Sequence, residues 1–293
     1  MSGRAPADAS MRTLRFIPSL LAIVSAGSAA PQLQPVTAQA WEKYIRVVDE
    51  RAKARVHGGV PFLWTDEKPD RRLRLQRGEV LVAPIVGRGI QVVPDGLIHD
   101  WIAAVYLPDT NLQRLTQFLG NYNQYPDYFK PFVVNSRVLS CSATDAEVAM
   151  TWQHSVLFVK AAIQARFHTH YFMVDQQRGY SIGGSAEVFE IADLGSSTER
   201  MIAPDRGHGY VWRLHSITRY QQRENGVYLE IEALALTRSI PSSIHWLIAP
   251  VVARLSVNSL TTMLRQTREG LSHFSDPPLP VCVPGGFGIA KAR

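Results

Sequence analysis

Two periodicities divide the chain. From Gly96 to Ser239 apolar residues mostly alternate with polar ones, the two-residue period of strands that bury one face. From Ser242 onward they recur every three or four residues, the spacing of one helix face. The clearest strand is "GVYLEIEALALTRS". Val227, Leu229, Ile231, Ala233 and Ala235 share one face, opposite Glu230 and Glu232. The second face turns apolar at Leu234 and Leu236, so something must cover it there; a helix around Trp41 is the available cover. Alternation stops at Ser239-Ile240-Pro241. In "SSIHWLIAPVVARLSVNSLTTMLRQTREGL" Ile244, Leu247, Ile248, Val251, Val252 and Leu255 line one side of a helix. Pro250 has no N–H to donate and predicts a kink. Ser256 suits the cap of a continuation bearing Leu260, Met263 and Leu264, and Gly270 suits its stop.

Upstream, "GLIHDWIAAVYLP" reads as a strand closed by Pro108. "DTNLQRLTQFLGNY" reads as a helix capped by Asp109 or Thr110, with Leu112, Leu115, Phe118 and Leu119 as its buried stripe. "NQYPDYFKPF" is a short helix or turn. Five further extended segments lead to the last strand, joined by turns of which Asn225-Gly226 is the strongest, since both residues tolerate positive φ. Short turns between sequential strands imply an antiparallel meander. Before Gly96, "PVTAQAWEKYIRVVDERAKAR" carries Trp41, Tyr44, Ile45 and Val48 at helical spacing. Leu73, Leu75 and Val80-Leu81-Val82, set among Gly and Pro, predict a small β-hairpin.

The ends have a different character. "MRTLRFIPSLLAIVSAGSAAPQLQ" has a basic start, a short apolar run and small residues at Ser28-Ala29-Ala30, as a secretory leader does. The run is too short to span a bilayer. The expected organisation is a leader over 1–30, a helix and hairpin appendage over 31–95, a main domain over 96–271 and a flexible tail over 272–293. The formal net charge is +6, of which +2 lies in the leader. The rest is a mild excess that favours no nucleic acid, although the run "RRLRLQR" offers a peripheral contact for anionic membrane. A leader implies a periplasmic or secreted protein, where a disulfide between the only two cysteines, Cys141 and Cys282, is feasible.

The order of strand, two helices, six strands and long C-terminal helix predicts an α+β fold. A curved antiparallel sheet of about seven strands buries its concave face against that helix. On three stretches the chain resembles the START-like helix-grip superfamily, also called SRPBCC, most of all its uncharacterised bacterial members. They are "IHDWIAAVYLPDTNLQRLTQFLGNYNQYPDYFKPF", "GHGYVWRLHSITRYQQRENGVYLEIEALALTRSIP" and "WLIAPVVARL". The resemblance spans about Gly96 to Leu271. It implies a cavity for a lipid or other hydrophobic small molecule, with the loop "GSSTERMIAPDRGHG" and the short helices as a gate. It does not imply a reaction. A cyclase or dehydratase in the same cavity and a scaffold with a closed core remain as alternatives.

Strand parity then names the lining. Phe167, Thr169 and Tyr171 are expected on the inner face, as are Trp212, Leu214 and Ser216, and Leu229 and Ile231. Leu247, Val251 and Leu255 approach from the helix. An apolar face dotted with hydroxyls suits a ligand that needs bulk and a few orienting groups. No catalytic residue is assigned, because no G-x-S-x-G elbow or dinucleotide loop is present. No cofactor is expected. His168 and His170 have the i, i+2 spacing of metal ligands on a strand, but further ligands are needed, and no spacing demands that His154 or His215 supply them. A solvated face beside Arg166 is the expected setting, with no metal.

Overall fold

All ten strands among the described residues join one antiparallel sheet. The computed structural model describes residues 31–274 except 157–158 and 240–241, with side chains described except at 155–160 and 240–253. The predicted leader and most of the predicted tail therefore lie outside the described residues. The sheet runs in the order β1-β3-β10-β9-β7-β6-β5-β4, with β2 (Ile90–Val93) also on β3 and β8 (Arg200–Ile202) on β7. The long strands are β3 (Gly96–Pro108), β5 (Asp145–Val156), β6 (Val159–Met173), β7 (Arg178–Ala192), β9 (Arg213–Arg223) and β10 (Gly226–Arg238). Short edge strands, β1 (Val80–Pro84) and β4 (Val133–Cys141), close the two ends.

β10 enters its hairpin with β9 at Glu224-Asn225-Gly226, and Glu224 takes the positive φ of that turn. The chain then leaves the sheet for α5 (Ser242–His273), which runs through Pro250 and past Gly270 as one helix. Leu260, Leu264, Leu271 and Phe274 pack with Val105, Val227 and Leu229 of the concave face. α3 (Leu112–Gly120) and α4 (Tyr125–Tyr128) close one end of that core through Leu115, Phe118 and Phe129. The cap of α3 is Asn111, which accepts from Arg114 N at 2.8 Å, rather than either residue before it. The arrangement is a helix grip, with three more strands than the seven expected.

The three extra strands are β1, β2 and β8. The hairpin expected before Gly96 does not form: β1 and β2 each pair with β3 and not with one another. Residues 69–76 are helical, as α2 (Pro69–Gln76), not extended. In a strand Leu73 and Leu75 would share a face; here Leu75 is fully buried and Leu73 is exposed. Pro69 at the first helical position and Asp70 in the first turn stabilise that start.

The convex face is covered as Leu234 and Leu236 required. Helix α1 (Pro35–Val56) lays Trp41, Val48 and Ala52 on Ile98, Ile217, Leu234 and Leu236. Beside it, Phe62, Leu63, Trp64 and Leu75 cover Ile102, Ala104 and Tyr228. Glu230 and Glu232 are therefore buried rather than solvated. Glu230 accepts from Trp64 N at 2.9 Å and Thr65 N at 2.7 Å, and from the Thr65 hydroxyl. Glu232 takes Arg219 at 3.0 Å and also binds Arg51. These bonds offset the cost of burying charge.

Candidate functional site

Antiparallel register sets the concave face in rungs. One rung is Trp101–Ala233–Ser216–Gly183–Thr169 and the next is Ala103–Ile231–Thr218–Ser181–Tyr171. A third, His99–Ala235–Leu214, lies on the other side of the first. Period-two alternation puts every member on one side of the sheet. The strongest contacts of α5 with the sheet fall on β1 and β3. Leu214, Ser216, Thr218, Ile231, Ala233, Ala235 and Phe167 keep partial exposure although they face inward. Leu229 and Tyr220, one rung further on, are sealed in the core.

Phe167, Thr169, Tyr171, Leu214, Ser216, Leu229 and Ile231 thus stand on the face expected of them. Trp212 does not. It precedes β9, donates its backbone N–H to Leu236 O at 2.7 Å, and packs with Trp41 and Ile217 on the convex face. Parity fails there because the strand, and with it the alternation of faces, starts only at Arg213. Leu255 is half-buried on α5. The side chains of Leu247 and Val251 lie outside the described residues.

A cluster of phenols borders the rungs. The Tyr122 and Tyr171 hydroxyls are hydrogen-bonded to each other, with Thr169 beside Tyr122. Tyr125 donates to Leu119 O at 2.6 Å. Burial pushes all three phenols, and that of Tyr220, above the usual tyrosine range, so they stay protonated at neutral pH. The Tyr220 hydroxyl and the Trp101 indole N–H are buried with no hydrogen-bond partner among the described residues. His99 is held to Thr237 at 3.0 Å, and burial lowers its pKa to about 4, so it is neutral. Sequence reasoning missed Tyr122, because its pairing with Tyr171 spans 49 residues. It also passed over Ser181, although its face follows from that of Gly183.

The loop expected to gate the cavity is pinned. The Glu190 carboxylate accepts from His208 N at 2.7 Å and Tyr210 N at 2.9 Å, and also meets His208 Nδ1 at 3.1 Å. Gly207, at φ 100°, passes so close to that carboxylate that a Cβ would clash. Asp205 pairs with Arg213 at 2.6 Å.

His168 and His170 both face Asp145, at 3.3 and 2.6 Å, beside an Arg166–Glu147 pair on the outer face. His215 pairs instead with Asp49 of α1, and His154 stacks on Phe132. No group of three residues with metal-holding geometry is found among the described residues. Outside the grip, an open pocket of about 410 Å³ beside β1 is lined by Trp64, Lys68, Arg71, Arg74 and Val257. Its cations are partly neutralised, with Arg71 on Glu67 and Arg74 on Glu79.

No family model matches the chain, and no curated protein matches it. Similar solved structures include a STAR-related lipid transfer protein from Xanthomonas axonopodis. It is 16% identical, covering 66% of this chain and 98% of that one, with a TM-score of 0.43. Human STARD10 is 10% identical over 74% of this chain and 91% of its own, with a TM-score of 0.38. The Zhui aromatase/cyclase from Streptomyces sp. R1128 is 13% identical over 59% and 96%, with a TM-score of 0.37. At these identities and scores, function has to be argued from the site.

Proposed function

We propose that the chain is an exported binding or transfer protein for a lipid or other hydrophobic small molecule, held between the concave face and α5. The partial exposure of seven inward-facing residues in the middle of the sheet carries this reading. A fully packed grip would seal them as it seals Leu229 and Tyr220. Apolar surface left open beneath a helix is a standing place for an apolar ligand.

Binding is favoured over cyclase or dehydratase chemistry. General acid–base catalysis works best with a group titrating near the operating pH. The described concave-face phenols are shifted upward and His99 downward, away from neutrality on both sides. Export is supported by the leader-like sequence and by Cys141, which is disulfide-bonded. Contact with anionic membrane through Arg71, Arg72 and Arg74 would be weak, since acidic partners already hold two of the three.

Native mass spectrometry of the mature protein from its own host, followed by organic extraction, tests the carrier reading. A stoichiometric apolar adduct is expected. It should be lost in Ala233→Trp, which fills the open rung, with thermal stability kept. A bare mass that binds nothing from a lipid panel would sink the reading in favour of a closed-core scaffold.

A further inference from the structure

Resting on that carrier reading, we infer that the enclosed part of the ligand is uncharged and carries a neutral hydrogen-bonding group, such as an alcohol or ketone, against Ser181, Ser216 and Thr218.

The first support is what the concave rungs contain. β3 contributes Leu97, His99, Trp101, Ala103, Val105 and Leu107, while β10 contributes only Val, Leu, Ile and Ala before Thr237. β9 contributes Leu214, Ser216, Thr218 and Tyr220, and β6 contributes Ile163, Ala165, Phe167, Thr169, Tyr171 and Met173. The histidines whose parity places them on this face are His99 and, on β5, His154; burial holds both pKa values below the usual imidazole value, and the phenols of Tyr171 and Tyr220 stay protonated. On β7 the face carries one carboxylate, Glu190, and two backbone N–H groups of the 208–210 segment already occupy it. Residues 239–253, which lead into and form the first part of α5, contain no Asp, Glu, Lys or Arg. Among the described residues, a carboxylate, phosphate or ammonium placed there would meet no free counter-charge, and burying an unpaired ion is far costlier than burying a neutral polar group.

The second support is a run of hydroxyls at the centre of this surface. Ser181 and Thr218 are directly opposite one another across β7 and β9, and Ser216 lies one rung away, opposite Gly183. Ser181 is 7% exposed and faces inward. No partner for these three hydroxyls is found among the described residues, whereas nearby Thr169 and Tyr171 are engaged by Tyr122. Gly183 keeps the floor low: a Cβ there would stand 2.4 Å from the Phe167 ring and 3.0 Å from Thr169 Oγ1. A hydroxyl both donates and accepts, so the three serve an alcohol or a carbonyl equally.

The test uses the full mature protein, stripped of lipid. Hexadecanol, hexadecanoate and hexadecane are compared at neutral pH by displacement of a fluorescent apolar dye. Hexadecanol is expected to bind about tenfold or more tighter than either of the others, the scale of one satisfied buried hydrogen bond. The double variant Ser181→Ala, Thr218→Val keeps side-chain volume and should lose most of that preference while its affinity for hexadecane is unchanged. Ser216→Ala serves as a second, single-site variant should the double one unfold. Hexadecanoate binding as tightly as hexadecanol, or a preference that survives both variants, would overturn the inference and leave the carrier intact. Failure of all three ligands to displace the dye would instead bring down the carrier reading, and this inference with it.

Discussion

His99 and Asp100 are neighbours in sequence and point to opposite faces of β3, yet both are buried. Burial, reinforced by the charge of Glu232, raises the Asp100 pKa to about 6, although Tyr44 and Arg51 pull the other way. Burial lowers that of His99 to about 4. The two shifts act on stability with opposite signs. Between about pH 4 and 6 the folded state holds a proton on Asp100 that the unfolded state releases, so this carboxyl makes stability fall as pH rises. Over nearly the same window the unfolded state protonates His99 and the folded state does not, so this imidazole makes stability rise. Each effect amounts to roughly 3 kcal/mol at full burial, and together they largely cancel. Urea unfolding across this range should therefore show Asp100→Asn gaining stability with pH relative to the parent, and His99→Gln losing it. Parallel slopes in all three proteins would show that neither group is held as the geometry implies. None of this is legible in "LIHDWIAA", because the pattern shows alternation but not that α1 lands on Asp100.

Strand and helix periods are legible wherever one face is left to solvent or to a single partner. The run from β3 to β10 can be read because each strand alternates and each turn is marked. "RRLRLQR" misleads because two leucines at i and i+2 fit a strand and are too few to show a helical stripe. The element that matters most beyond the grip is α1, whose Trp41 stripe and whose target, Leu234 and Leu236, both stand out in the hydrophobic pattern of the chain. Its role is structural: it buries Asp100, Glu232 and Arg219 along with the apolar cluster. Trp41→Ala is expected to cost about 3–5 kcal/mol in urea unfolding, as large aromatic truncations in cores do. Leu73→Ala on α2, at an exposed position, should fall within about 0.5 kcal/mol of the parent. Equal effects at the two sites would mean that α1 is a loosely attached appendage. The inward face is legible strand by strand, since parity places on it seven of the residues expected there. Trp212 is lost at a strand boundary and Tyr122 at a long-range contact, both of which depend on tertiary placement.

At the scale of the whole molecule, the compartment and the covalent framework stand or fall together. Cys141 ends β4, an edge strand with half its backbone groups unpaired by the sheet. It is disulfide-bonded, and the sequence holds one other cysteine, Cys282. A bridge between them would close a loop of about 140 residues, for which restriction of the unfolded chain would contribute at most about 5 kcal/mol, against the about 2–4 kcal/mol typical of disulfides. Such a bond persists in an oxidising compartment and is kept reduced in a cytosol. The leader-like segment and the disulfide are independent features, one read from residues 1–30 and the other from β4, and both fit the export proposed above. Intact mass of the protein isolated from its own host, before and after reduction, checks both at once. The expected species begins just after Ala30, has no thiol reactive toward iodoacetamide until reduced, and unfolds at lower temperature once reduced. A chain that retains residues 1–30 and carries two free thiols would remove export from the proposal. The carrier reading would survive, because it stands on the open rungs of the sheet and not on where the protein resides.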